Sequence, residues 1–86
     1  MSNISKFELR SLRQFVVLAQ ELHYGRAATR LHMSQPPLTQ AIQKLEANLG
    51  VSLFDRTQRT VRLSLAGASL LPVVKRILAD AEGLPA

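Results

Sequence analysis

The sequence predicts a mainly α fold: a three-helix core containing a helix-turn-helix, a two-stranded hairpin wing, and a long final helix. Three observations carry this. Apolar residues recur at helical spacing from Leu9 to Leu49. Between Val51 and Leu63 the period shortens to an alternation around a polar turn. After Ser64 a helical repeat resumes and runs to Leu84. By segment, residues 1–7 read as a frayed lead-in, 8–63 as the helix-turn-helix domain with its wing, and 64–86 as the last helix. Within the domain, 25–49 hold the helix-turn-helix and 51–63 the wing.

Size and composition narrow the classes. Eighty-six residues allow one domain with a modest core. Hydrophobic residues make up 47% and aromatics 5%, which suits helices packed on Leu, Val, Ile and Ala. No apolar run approaches the roughly 18 residues a membrane span needs, and MSNISKFELR does not read as a signal peptide. The absence of cysteine excludes disulfides and Cys-based zinc sites, so a cytoplasmic home is expected. Lys and Arg outnumber Asp and Glu by 11 to 6, for a net charge of +5, which favours a polyanionic partner.

Each element has its own justification. Leu9, Leu12, Phe15, Val16, Ala19 and Leu22 share one face of a first helix that starts near Glu8, with Arg10, Arg13, Gln14 and Glu21 elsewhere. Gly25 is an acceptable N-cap for a second helix, Arg26 to Leu31, that buries Ala27, Ala28 and Leu31. Two adjacent alanines let neighbouring backbones approach closely, as a tight corner requires. Free N–H groups at that helix start, beside Arg26, would seat a phosphate. A turn at His32-Met33 follows.

The third helix carries two stripes. Leu38, Ile42, Leu45 and Leu49 recur at spacings of four, three and four and form an apolar face. Pro36, Thr39, Gln40 and Gln43 fall opposite, on a face with amide and small side chains and no acid. Ser34 is the expected N-cap, Pro36 and Pro37 rigidify the first turn, and Gly50 supplies the C-terminal cap. A helix apolar behind and hydrogen-bond-capable in front is shaped to be held by a core and pushed into a DNA groove.

The wing is expected to turn at Thr57-Gln58-Arg59-Thr60, with Arg56, Arg59 and Arg62 around its tip. A basic tip favours phosphate or the minor groove. Arg56 has two other outlets, pairing with Asp55 or pinning the wing to the core. Ser64 caps the last helix, where Leu70, Val74, Ile77, Ala81 and Leu84 repeat at four, three, four and three. That is a coiled-coil-like seam, read as a dimer contact through Leu70, Val74, Ile77 and Ala81. Pro72 is expected to bend or loosen this helix, and Gly83 and Pro85 to end it.

These residues resemble one family. L-R-S-L-R-Q-F at 9–15 and R-A-A-T-R-L-H-M-S-Q-P-P-L-T-Q-A-I-Q-K-L-E at 26–46 are similar to the N-terminal DNA-binding domain of LysR-type transcriptional regulators. The similarity continues in L-G-V-S-L-F-D-R at 49–56 and V-R-L-S-L-A-G at 61–67. The resemblance implies a winged helix-turn-helix regulator, with the last helix as a linker that pairs with its twin in a dimer. It further implies a missing C-terminal domain that binds a small-molecule effector, and tetramers in the full-length protein. Two positions depart from the pattern. Gln40 stands where the family often has Arg, and Gly25 where it often has Ser or Thr.

The site follows from both readings. Base readout is assigned to Gln35, Pro36, Pro37, Thr39 and Gln40: the glutamine amides match adenine, and the prolines and Thr39 offer contact to a thymine methyl. Arg26, Ser34 and Lys44 are assigned to phosphate, and Arg56 and Arg59 to the wing's contact. The partners expected are double-stranded DNA with a roughly palindromic site and a second copy of the chain, with no membrane, cofactor or metal. Two rival classes fare worse. His23 and His32, nine residues apart, form no helical ligand pair, and no carboxylate pair or glycine-rich phosphate loop points to an enzyme. A basic module for an acidic protein or anionic membrane needs no amide-bearing helix face.

Overall fold

The computed structural model describes residues 6–56 and 60–83. Among them run α1 (Lys6–Glu21), α2 (Tyr24–Arg30), α3 (Gln35–Leu49), β1 (Phe54–Asp55), β2 (Arg62–Leu63) and α4 (Leu65–Glu82). The strands pair antiparallel, Phe54 with Leu63 and Asp55 with Arg62, as the small wing. α1 packs against α2, α3 and α4, so the first helix is the hub of the core. The mainly helical class, the order of elements and the two-stranded wing agree with the sequence reading.

The core is built from Phe15 and Leu18 of α1, Ala27 and Ala28 of α2, Leu38 and Ile42 of α3, and Val74 of α4. Leu53 and Phe54 join it from the wing. Phe15 and Phe54 meet edge to face with ring centroids 5.7 Å apart, which fastens the wing's first strand to α1. Gly67, in the first turn of α4, lies under that strand's approach. A Cβ there would come within 2.9 Å of Leu63 Cδ2 and 3.1 Å of the Leu53 carbonyl carbon, and nearer still to the Leu53 oxygen. Ser64 locks the same corner: its N–H donates to the Leu53 carbonyl at 2.9 Å, and its hydroxyl donates to the Ser52 carbonyl at 2.6 Å. The Ser64 oxygen also accepts the Gly67 N–H at 3.0 Å, the cap expected of it.

Several boundaries differ from expectation. α1 begins at Lys6 rather than Glu8, and residues 1–5 of the lead-in lie outside the described residues. Leu22 is not on the buried face: it leaves the helix at φ +52° and is exposed. Gln14, placed off the apolar face, is buried, and its amide donates to the thioether of Met33 at 3.7 Å. Leu49, expected on the apolar stripe of α3, is exposed in the last turn before Gly50 takes its left-handed φ of +75°. α4 runs unbroken through Pro72 to Glu82, and Gly83 ends it at φ +71°. An Arg13–Glu82 ion pair ties its far end back to α1.

Candidate nucleic-acid interface

α3 divides as its sequence predicts. Leu38 and Ile42 are fully buried and Leu45 nearly so. Gln35, Pro36, Pro37, Gln40, Gln43 and Lys44 are exposed, and Thr39 is half-buried at the margin. The five base-readout candidates therefore come together on the outer side of the first two turns. No acidic residue stands in the first turn to repel a phosphate chain.

The start of α3 is rigid and leaves a hydroxyl unspent. Ser34 occupies the N-cap in extended conformation but makes no side-chain cap bond. The reason is local: the second and third helical residues are Pro36 and Pro37, and neither has an N–H to offer. Behind it, the corner from α2 is closed by backbone. His32 turns to φ +56°, its N–H reaches the Thr29 carbonyl at 3.1 Å, and the Met33 N–H reaches the Ala28 carbonyl at 2.9 Å.

The start of α2 differs from the sequence reading. Its N-cap is His23, not Gly25, and the His23 Nδ1 accepts the Arg26 N–H at 3.0 Å. The open N–H seat expected for a phosphate beside Arg26 is thus partly filled from within. The Arg26 side chain is exposed but paired, with Nε 3.2 Å from the Glu21 carboxylate and Nη2 3.2 Å from the Glu21 carbonyl. Arg30 donates to the same carboxylate at 3.1 Å and to the Gln20 amide at 2.9 Å. Glu21, Arg26 and Arg30, with His23, Gly25 and Gln35, line an open cleft beside the start of α3.

Sequence reasoning missed Glu46, and the wing hangs on it. One carboxylate oxygen accepts the Leu53 N–H at 2.8 Å and the Phe54 N–H at 3.3 Å; the other accepts from Arg56 at 3.2 Å. Arg56 also donates to the Tyr24 hydroxyl at 2.9 Å and lies over that ring, 5.9 Å from its centroid. Partial burial works against the Arg56 cation, but the Tyr24 hydrogen bond and the Glu46 carboxylate outweigh it and raise its pKa. Of the outlets open to Arg56, the structure uses the pin to the core and not the pair with Asp55. The signal for Glu46 was present: it is the one acid in α3, a turn before the helix ends and just ahead of a strand that needs acceptors. Arg59, the other assigned wing contact, lies outside the described residues with the rest of the tip at 57–59.

Within one chain the assigned seam of α4 is divided between core and surface. Val74 is 1% exposed and belongs to the chain's own core, and Leu70 packs against that core. Ile77 is half-buried and Ala81 exposed, while Leu84 lies outside the described residues. The large apolar residues of α4 that are exposed are Leu65 and Val73. Within the single chain, Val74 and Leu70 therefore serve the core, while Ile77 and Ala81 keep surface open.

Residues 9–68 match the model of the bacterial regulatory helix-turn-helix proteins of the lysR family. The chain belongs to the LysR family. Among curated relatives of this LysR-family chain, it is 55% identical over 71 residues to the uncharacterized HTH-type transcriptional regulator YnfL of Escherichia coli (strain K12). That alignment covers 83% of the chain and 24% of YnfL. It is 45% identical over 84 residues to the HTH-type transcriptional regulator XapR of the same organism, covering 98% of the chain and 29% of XapR. The chain therefore spans about a quarter of the length of these relatives, which are regulators and not enzymes. Among solved structures, the CbnR DNA-binding domain in complex with DNA matches with a TM-score of 0.83 at 44% identity, over 87% of this chain and 86% of that one. The BenM DNA-binding domain on its benA site 1 DNA matches at 0.84 and 36% identity, over 88% and 85%. No helix among the described residues is long and apolar enough to cross a membrane.

Proposed function

We propose that this chain is the sequence-specific DNA-binding portion of a cytoplasmic LysR-type transcriptional regulator. The binding domain comprises residues 8–63, and α4 is the linker helix of a dimer. The observation that carries the reading is the split of α3, with leucines and isoleucine sunk in the core and an uncharged, amide-bearing face exposed at a proline-stiffened start. The DNA complexes of the CbnR and BenM domains, which share this fold, support it.

Gln35, Pro36, Pro37, Thr39 and Gln40 read base edges in the major groove, and Ser34, Arg26 and Lys44 hold phosphates. Arg59 contacts the backbone or minor groove from the wing tip. Arg56 serves the wing by fixing its base. The dimer forms through the outward side of α4, with Val73, Ile77 and Ala81, and places two α3 helices about one DNA turn apart on a roughly palindromic site. The full-length protein adds an effector-binding domain and assembles as a tetramer.

Selection of bound duplexes from a random pool tests the reading. The expected result is a two-fold half-site pattern, with a salt slope of about −5 if three cations per subunit each displace counterions. Binding no tighter to selected than to random duplex, or preference for anionic lipid vesicles over DNA, would remove it. Within the selected site, Gln40→Arg is expected to move base preference at one position towards guanine by about 1–3 kcal/mol. An identical consensus for both proteins would refute that assignment.

A further inference from the structure

Gly25 has no conformational reason to be glycine. It is the second residue of α2, its φ is not positive, and glycine inside a helix is less favourable than alanine by roughly 1 kcal/mol. What it has is two side chains lying on it. A Cβ at this position would come within 2.9 Å of His23 Cε1 and 3.3 Å of His23 Nδ1. It would also come within 3.3 Å of the Gln35 amide nitrogen. The first neighbour is the ring that caps α2, through Nδ1 and the Arg26 N–H. The second is the first residue of α3, an exposed side chain whose amide nitrogen lies against the start of α2.

We propose that Gly25 is a specificity-determining position: its missing side chain seats the Gln35 carboxamide against α2 and so fixes where that amide meets a base edge. This rests on the reading of α3 as the DNA-recognition helix. The seat is made by shape, since no hydrogen bond to another described residue holds the Gln35 amide and its donors and acceptor stay open for a base. A hydrogen bond to a base edge works over only a few tenths of an ångström, so a small displacement at the seat changes discrimination. Glu21, Arg26 and Arg30 close the other side of the cleft and are paired with one another, so they do not compete for the amide. Gly25 touches no base itself; it is a positioning residue acting through Gln35.

The test measures binding of the wild-type chain, Gly25→Ala, Gln35→Ala and the double variant. Each is titrated with the selected duplex, with single-base-pair changes across one half-site, and with random duplex. Gln35→Ala is expected to lose discrimination at one base pair. Gly25→Ala is expected to lose roughly three- to tenfold of discrimination at that same pair, with random-duplex binding unchanged within about twofold. The double variant should be no worse than Gln35→Ala alone. Because Gly25→Ala also crowds the His23 cap, His23→Ser with Gly25→Ala provides a second variant. Serine restores a capping oxygen and removes the ring, while the added Cβ still meets Gln35. It should fold like the wild type, by circular dichroism and thermal melting, and keep the position-specific loss. The proposal is overturned if Gly25→Ala lowers binding equally at every base pair, or leaves the profile unchanged. It is overturned too if the Gly25 and Gln35 losses simply multiply. A wild-type chain that prefers no duplex over random DNA removes the proposed function itself, a result distinct from a preference that Gly25→Ala leaves intact.

Discussion

Replacing Gly67 with alanine is expected to destabilise the domain, although alanine is the better helix former. In an exposed helix the change would gain about 1 kcal/mol. Here the new methyl meets Leu63 Cδ2 at 2.9 Å and the Leu53 carbonyl group more closely than any ordinary contact. The neighbour is backbone and cannot rotate away, so either α4 or the approach to β1 must shift. Overpacking of this kind costs about 1–3 kcal/mol. Displacing the Leu53 carbonyl also weakens its bond from the Ser64 N–H, worth about 0.5–1.5 kcal/mol. The balance is a net loss of about 1–3 kcal/mol, or roughly 5–20 °C in Tm for a domain this size. Thermal melting followed by circular dichroism reads it directly. A Tm unchanged or raised in Gly67→Ala would show that α4 and the wing do not pack as described.

Three more expectations separate structural from functional roles. Ser34→Ala should change stability by less than about 0.5 kcal/mol, against about 1 for an ordinary N-cap serine, because Pro36 and Pro37 leave it nothing to cap. The same variant should weaken DNA binding by roughly fivefold, the worth of one phosphate hydrogen bond; a large stability loss with unaltered binding would reverse the assignment. Glu46→Ala strips acceptors from the Leu53 and Phe54 N–H groups and frees Arg56, so denaturant melts should show about 2–4 kcal/mol lost. Glu46→Gln, which keeps one carbonyl acceptor, should recover part of it, and equal stability for all three proteins would exclude Glu46 as the wing's anchor. Val74→Ala should lower stability by about 2 kcal/mol independently of protein concentration, since Val74 packs within one chain. A loss that fades as concentration rises would return it to the dimer seam.

Local sequence carried the α3 face, the caps at Ser64 and Gly50, and the order of three helices, a wing and a final helix. Each of these depends on residues within a few positions of one another, where helical period and backbone chemistry act directly. Tertiary structure alone decided the rest. Which residues of the α4 repeat enter the chain's own core depends on how much apolar surface α1 leaves uncovered, and spacing within α4 carries no record of that. Arg56 finds Tyr24 and Glu46 across 32 and 10 residues, and Gly25 finds Gln35 only because the corner at His32 brings two helix starts together. Composition shows how many arginines a wing has; only the folded chain shows which is already paired before any partner arrives.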